Sequence, residues 1–306
     1  MCALPELPDV TIYVERIAAL ATGHPLEAIR LASPFVLRSV DPPVAAFAKK
    51  RITGARRLGK RIVITVEDEL FIVIHLMIAG RLRWQPRGVA IPKKRGLAAF
   101  DLDVASILFT EASPKKRASI HLVRGEAALA EHDPGGIEPL TATAAELSAA
   151  LTRENHTLKR ALTDPRILSG IGNAYSDEIL HRARQSPFAQ TQTLSDGDMA
   201  VLGDAIRSTL TDFTDRLRAE VGDGFPDKVT AFRPDMAVHG RFRQPCPVCG
   251  SPIQRIVYAA NEANYCATCQ TGGKLFADRA LSRLLKKNWP RTLEQLEALR
   301  RDRDRE

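Results

Sequence analysis

Apolar positions along this chain follow two rhythms. Between about residue 26 and residue 123 they form short strand-like runs separated by polar turns, and beyond about residue 143 they recur at helical spacing. A leading segment, Asp9 to Ala21, places Val10, Val14, Ile17 and Leu20 on one helical face, with Asp9 as an N-cap or first-turn acid. Strands are predicted at Arg61 to Glu67 and Leu70 to Leu76 around a tight Asp68-Glu69 turn. Others are predicted at Gly80 to Gln85, Leu97 to Leu102, Ser106 to Thr110 and Ala118 to Val123. Closely spaced strands of this kind build an antiparallel sandwich.

Residues 125–142, with Asp133-Pro134-Gly135-Gly136 and Glu138-Pro139, read as a linker. Helices are predicted at Ala144 to Leu151, Thr157 to Thr163, Ala174 to Arg184 and Ser195 to Leu217, and the tail reads as two helices broken at Trp289-Pro290. There is no internal repeat. The longest apolar run, Leu70 to Ala79, is interrupted by His75 and is too short to span a bilayer.

Cysteine spacing adds a third element. Cys246 and Cys249 form one C-x-x-C pair and Cys266 and Cys269 a second, with sixteen residues between. The first pair sits in a knuckle, Pro245 to Gly250. Between the pairs lie a short strand, Pro252 to Tyr258, a turn at Asn261 to Asn264, and Tyr265 leading into the second knuckle. This is the spacing of a four-thiolate zinc ribbon. Paired disulfides suit small secreted chains, and no signal peptide precedes these cysteines. A redox pair needs no matched second pair. Zn2+ held by four thiolates is structural, because no position is left for water. The fifth cysteine is Cys2, and this usage suits a reducing cytoplasm.

With 306 residues and 44% hydrophobic content, the chain is long enough for about two domains and the ribbon. The net charge is +8 and the pI near 9.4. The basic residues cluster: Lys49, Lys50, Arg51, Arg56, Arg57, Lys60 and Arg61 lie in one stretch without an acid. Lys115-Lys116-Arg117 repeats the theme, whereas Lys93-Lys94-Arg95 reads as a solvated turn. Clustered cations point to nucleic acid.

Four passages, in order, carry a resemblance to the formamidopyrimidine-DNA glycosylase and endonuclease VIII family. They are Pro5-Glu6-Leu7-Pro8-Asp9-Val10; Arg56-Arg57-Leu58-Gly59-Lys60; Ser169-Gly170-Ile171-Gly172-Asn173-Ala174-Tyr175-Ser176-Asp177-Glu178-Ile179-Leu180; and Val238-His239-Gly240-Arg241 running into the ribbon. The fold implied is α+β and multidomain. A β-sandwich catalytic domain with its leading helix covers 1–124, a linker 125–142, and a helix–two-turn–helix domain 143–235. A zinc ribbon covers 236–271 and a basic helical extension 272–306. The implied partner is double-stranded DNA with damaged bases or abasic sites. The implied setting is a monomer in the bacterial cytoplasm, associated with the nucleoid and not with a membrane.

By residue type alone Pro5 is a helix-leading proline, Glu6 a first-turn acid and Lys60 a solvated charge at a strand start. The resemblance gives them catalytic roles. Pro5, as a terminal amine with a pKa of roughly 7.7–8.0, attacks C1′ of the sugar. Glu6 is the acid/base that helps open the ring. Lys60 holds a neighbouring phosphate or assists departure of the base. The iminium then acts as the electron sink for β- and δ-elimination.

Gly170 and Gly172 let the backbone approach a phosphate, which the following helix start receives; Asn173 caps that helix and touches the phosphate. Lys159 reads equally as a DNA contact and as a surface lysine. Tyr175 falls within the same signature, and His75, Met77 and Ile78 are placed at the extruded base.

The sequence also departs from the family pattern. Met1-Cys2-Ala3-Leu4 precede Pro5, so in this frame the Pro5 nitrogen is an amide; initiation at a leucine codon for Leu4 followed by methionine removal exposes it. The place of the family's inserted methionine falls on Ile78, with Met77 adjacent. Ser113-Pro114-Lys115-Lys116-Arg117-Ala118 replaces an Arg-Phe loop, Asn261 stands at the ribbon's arginine, and Thr271 follows the last knuckle. Residues 271–291 hold six Lys or Arg against one acid and are a substitute phosphate grip. The alternative reading is a non-catalytic relative that binds DNA damage or DNA structure. An RNA-binding zinc-ribbon factor leaves Pro5-Glu6 and the glycine turn unexplained.

Overall fold

Residues 5–226, 233–258, 261–277 and 290–303 are described by the computed structural model. Cys2, the residues before Pro5 and the first expected tail helix, around Trp289, lie outside them. The chain divides into two compact units. One contains the residues up to Glu138 together with those from Leu210 to 226; the other contains Pro139–Thr209 and the residues from 233 onward. Residues 143–209 thus fall in the second unit and 210–226 in the first.

In the first unit, helix α1 (Leu7–Ala21) is followed by eight antiparallel strands: β1 (Pro25–Leu31), β2 (Lys50–Leu58), β3 (Arg61–Val66), β4 (Leu70–His75), β5 (Gly80–Pro86), β6 (Gly96–Leu102), β7 (Ala105–Glu111) and β8 (Ser119–Arg124). Their order is β5-β7-β6-β1-β2-β3-β4-β8, and β1 meets β2 through two residue pairs, Pro25 with Arg51 and Leu26 with Lys50. That short join is the corner at which the sheet turns into a second layer.

Alternate residues of both layers enter one core. Leu82, Phe100, Ile107 and Phe109 come from one layer and Ile62, Ile64, Ile72, Ile74 and Ile120 from the other, together with Val10, Tyr13 and Ile17 of α1. The intervening residues Val63, Phe71, Val73 and Val123 form a second cluster on the outer face, covered by Leu129 of a short helix, α2 (Glu126–Ala130). The expected linker thus begins as a packed element. Strand β2 alternates only weakly: Arg51, Thr53 and Arg56 are its exposed residues and Ile52 its one fully buried residue.

The second unit holds α3 (Ala144–Thr152), α4 (Leu158–Thr163), α5 (Asn173–Arg182) and the first part of α6 (Asp196–Val221). It then holds the ribbon strands β9 (Ile253–Tyr258) and β10 (Asn261–Cys266), the knuckle helix α7 (Ala267–Thr271) and a tail helix α8 (Leu293–Arg303). Asn261 to Asn264, expected as a turn, is instead strand, with Asn261 opposite Tyr258 and Asn264 opposite Arg255. Its polar composition misleads because Glu262 and Asn264 are buried among polar partners, while Ala263 and Tyr265 pack into the opposite face. Leu293 and Leu296 of α8 pack with Phe276 and Phe188 around Tyr265 and Ile256. No helix among the described residues is long and apolar enough to cross a membrane.

Ile64 lies in the core between the two layers at 1% exposure. Ile64→Ala is expected to cost about 2–5 kcal/mol, read as a lower urea midpoint. Glu126→Ala, which breaks the exposed pair with Arg56, is expected to cost about 1 kcal/mol or less in the same measurement.

Candidate nucleic-acid interface and metal centre

At the chain's first described residues, Pro5 and Glu6 are both buried. Glu6 occupies the N-cap of α1, and its backbone N–H donates to Asp9 Oδ2 at 2.9 Å. Asp9 is therefore the first-turn acid and not the cap. The outer side of α1 is tied to the end of α6: Arg16 donates to the Asp223 and Gly224 carbonyls, and Glu15 pairs with Arg218 at 2.7 Å. These contacts fix the axis of the helix whose first turn carries Pro5 and Glu6.

Lys60 sits in the two-residue turn joining β2 to β3. His75 ends β4 opposite Arg61. Burial, and then the charges of Arg61 and Lys60, hold the His75 imidazole well below its ordinary value, at about 4, so it is neutral at physiological pH.

The tight turn after His75 carries Met77, at a positive φ of 51°, and Ile78, 40% exposed. Gly80 closes that turn with its N–H on the Leu76 carbonyl, and a Cβ there would stand 2.2 Å from the Leu76 oxygen. The turn therefore requires glycine. The neighbouring Ser113–Ala118 loop is pinned by buried Glu111, whose carboxylate accepts from the N–H groups of Arg117 and Ala118, both at 3.1 Å. Lys116 turns back onto the Lys94 and Glu111 carbonyls, leaving Lys115 and Arg117 exposed.

In the second unit, α4 and α5 are joined by a turn that holds Gly170 at φ +80°, a left-handed conformation suited to glycine. Gly172 is the N-cap of α5, and Asn173, half-buried, is its first helical residue. The cap is thus glycine, where asparagine was expected.

Two expected DNA contacts lie in the interior. Tyr175 is fully buried. Lys159, 7% exposed, gives its ammonium to Asp177 Oδ1 at 2.5 Å, the Asn173 carbonyl at 2.6 Å and Ser176 Oγ at 2.8 Å. A lysine buried this deeply needs such partners, and here it braces the start of α5 from inside.

Sequence reasoning passed over the two acids beside it. Asp177 Oδ2 accepts from His239 Nδ1 at 2.8 Å and from Asn264 Nδ2 at 3.2 Å. Glu178 accepts the backbone N–H groups of Ala237, Val238 and His239 at 2.7, 2.9 and 2.8 Å. Burial pushes the Glu178 carboxyl above its ordinary value, against the pull of these three donors. The signal was an adjacent acid pair set between the apolar pairs Ala174-Tyr175 and Ile179-Leu180. Its partners, 59 to 87 residues downstream, are not visible in sequence.

The four cysteine Sγ atoms lie within 4.8 Å of one another, with Cys246–Cys269 at 3.9 Å and Cys249–Cys266 at 3.4 Å. Sulfurs bonded to one another stand near 2.05 Å, whereas Zn–S bonds of about 2.3 Å in a tetrahedron set sulfurs about 3.8 Å apart. The set fits structural zinc and leaves no open ligand position.

Around the metal centre, His181 Nε2 of α5 reaches Cys246 Sγ at 3.3 Å. Gln270 accepts from the Cys266 N–H at 2.9 Å and donates to the Gln185 carbonyl at 2.9 Å. The ribbon is thus fastened to α5 at several points. Thr271 turns its hydroxyl onto the Ala267 and Lys274 carbonyls.

Comparison with known proteins matches three family models in chain order. These are the formamidopyrimidine-DNA glycosylase N-terminal domain over residues 4–134, the formamidopyrimidine-DNA glycosylase H2TH domain over 136–216, and a zinc finger found in FPG and IleRS over 243–272. A formamidopyrimidine-DNA glycosylase of Heliobacterium modesticaldum is 31% identical over 282 residues, covering 87% of this chain and 100% of that protein. A Mycobacterium tuberculosis protein, described as an uncharacterized formamidopyrimidine-DNA glycosylase-like protein, is 42% identical over 151 residues, 49% of this chain and 94% of its own. The crystal structure of the MutM (Fpg) protein from Thermus thermophilus superposes with a TM-score of 0.73 at 29% identity, covering 87% of this chain and 98% of that one. The Lactococcus lactis Fpg in complex with DNA containing an abasic site gives a TM-score of 0.76 at 20% identity, covering 87% of this chain and 99% of that one.

Cys249→Ala is expected to lose bound zinc, measured by metal analysis of the purified chain, and with it the ribbon's folded signals. Asp177→Ala is expected to cost about 3–5 kcal/mol in thermal or urea unfolding, because it strands the buried Lys159 ammonium.

Proposed function

Because the chain belongs to the formamidopyrimidine-DNA glycosylase family, we propose that it excises a damaged base from double-stranded DNA and cuts the strand at the resulting abasic site. The lone pair of the Pro5 nitrogen attacks C1′, and the base departs as the C1′–N bond breaks. Glu6 moves protons at the opening sugar, and the iminium draws the electrons of the β- and then the δ-elimination. Lys60 sits close enough to His75 to depress its protonation, and with it offers the neighbouring phosphate a cation and a neutral imidazole. Met77 and Ile78 fill the space left by the extruded base. Asn173, at the positive end of α5 behind Gly170 and Gly172, receives a phosphate. Zinc, held by Cys246, Cys249, Cys266 and Cys269, keeps the ribbon folded and takes no part in bond breaking.

The observation that carries this reading is the place where the family match begins. The N-terminal domain match starts at Leu4, immediately before the Pro5-Glu6 pair. The abasic-site complex of the Lactococcus lactis relative supports the same substrate class. One sequence feature favours the second reading, a DNA-binding relative without catalysis: with residues 1–4 attached, Pro5 has an amide nitrogen, whose lone pair is shared with the Leu4 carbonyl.

Borohydride trapping on abasic DNA separates the two. A chain beginning at Pro5 is expected to form the covalent adduct, and the full 306-residue chain to form little. Glu6→Gln in the trimmed chain is expected to bind abasic DNA and turn it over slowly. Equal trapping by both forms, with the four extra residues shown intact by mass, removes Pro5 as the nucleophile; no trapping by either form favours the non-catalytic relative.

A further inference from the structure

The outer face of the second layer carries a polar cluster of which the chemistry above uses only His75. Strand alternation puts Arg61 of β3, His75 of β4 and His121 of β8 on that face, beyond the apolar patch of Val63, Val73 and Val123. Arg61 pairs across to His75, and His121 sits opposite Val73, one step diagonally from His75. The segment after α2 adds His132. Its ring meets that of His121 edge-on at a centroid distance of 4.8 Å, and its carbonyl accepts from Arg61 Nη1 at 2.7 Å.

Arg61 is half-buried and makes no ion pair among the described residues. A guanidinium in that position ordinarily meets a carboxylate or an incoming anion. The charged neighbours that face this cluster are mostly cations: Lys60 from the β2–β3 turn and Arg38 from the segment after β1. The acids that reach it are Glu131 and Asp133, both exposed and on either side of His132.

We propose that Arg61, His121 and His132 form a phosphate site on this face, where a DNA backbone phosphate is held by the guanidinium and by imidazoles that take up protons from solution as it docks. Extending the phosphate contacts of the reading above to a new part of the surface, it rests on that reading. The two half-buried imidazoles are the groups that titrate. Burial first, and then each other's charge and that of Arg61, hold His121 and His132 below the ordinary histidine value. They are therefore neutral at neutral pH in the free protein.

A phosphate supplies the opposite charge and raises their proton affinity. Binding then takes up protons wherever the pH lies between the free and bound values, so affinity rises as pH falls. His75, already held near 4, stays neutral through this range. Arg61 stays charged and supplies the salt-dependent part.

The test measures binding of the full chain to a duplex carrying an abasic-site analogue by calorimetry, in two buffers of different ionisation enthalpy and across pH 8 to 6. Wild-type protein is expected to take up protons on binding and to bind about three- to tenfold tighter at the acid end. His121→Gln/His132→Gln is expected to bind with no proton uptake and a flat pH profile, at unchanged zinc content and circular dichroism. Arg61→Gln is expected to lower the log–log salt slope by about 0.9, one phosphate. Both changes are at half-exposed positions. If wild-type protein binds the duplex with a steep salt dependence but takes up no proton, and the variants match it in pH profile and salt slope, the site is overturned while the DNA reading stands. If no duplex binds at all, both fall together.

Discussion

The second unit depends on two adjacent carboxylates buried inside it. Asp177 and Glu178 project from α5 into the protein, and neither is compensated by its own helix. Asp177 is met by an ammonium from α4, an imidazole from the segment before the ribbon and an amide from β10. Glu178 is met by three successive backbone N–H groups of residues 237–239. Charged groups this deep persist only when fully partnered. The pair therefore dictates where three separate stretches of chain, α4, residues 237–239 and β10, must lie against α5. The same Lys159 that answers Asp177 also holds the Asn173 carbonyl, so the partners of the ribbon and the geometry of the glycine turn are set by one network.

The metal centre leans on the same helix. His181, one helical turn beyond Asp177, approaches Cys246, and Gln270 links the second knuckle to the chain just after α5. Zinc closes the ribbon on itself, but the polar network attaches the closed ribbon to α5. The two devices are complementary: thiolates fix local geometry, and buried ion pairs and amides fix orientation.

The first unit is organised by apolar alternation instead. Every strand of the second layer has two covered faces along part of its length, one toward the other layer and one toward α2. Where that outer cover ends, at Arg61, His75 and His121, the face becomes polar and titratable within one step along each strand. The change from an apolar to a titratable surface is a matter of where Leu129 stops covering the sheet. The tight turn after β4 and the pinned 113–118 loop leave Ile78, Lys115 and Arg117 exposed without long flexible connections.

The sequence alone determined the elements whose signal is local. Short apolar runs bounded by polar turns in β3 to β8, helical spacing in α1 and α3 to α6, and paired cysteines each state their structure within a few neighbours, because run length, side-chain period and ligand spacing are short-range properties. It also carried the Pro5-Glu6 and glycine-turn signatures. Only the tertiary structure decided the roles of polar residues. Lys159 and Tyr175 look like surface contacts in the sequence and are buried; Asn261 to Asn264 look like a turn and form a strand; α2 lies in a stretch that reads as linker. In each case the deciding partner is distant in sequence: Asp177 for Lys159, β9 and Asp177 for the ribbon strand, the outer face of the sheet for Leu129. Whether a polar group faces water or the interior depends on the partner it finds there, and that partner is supplied by the fold.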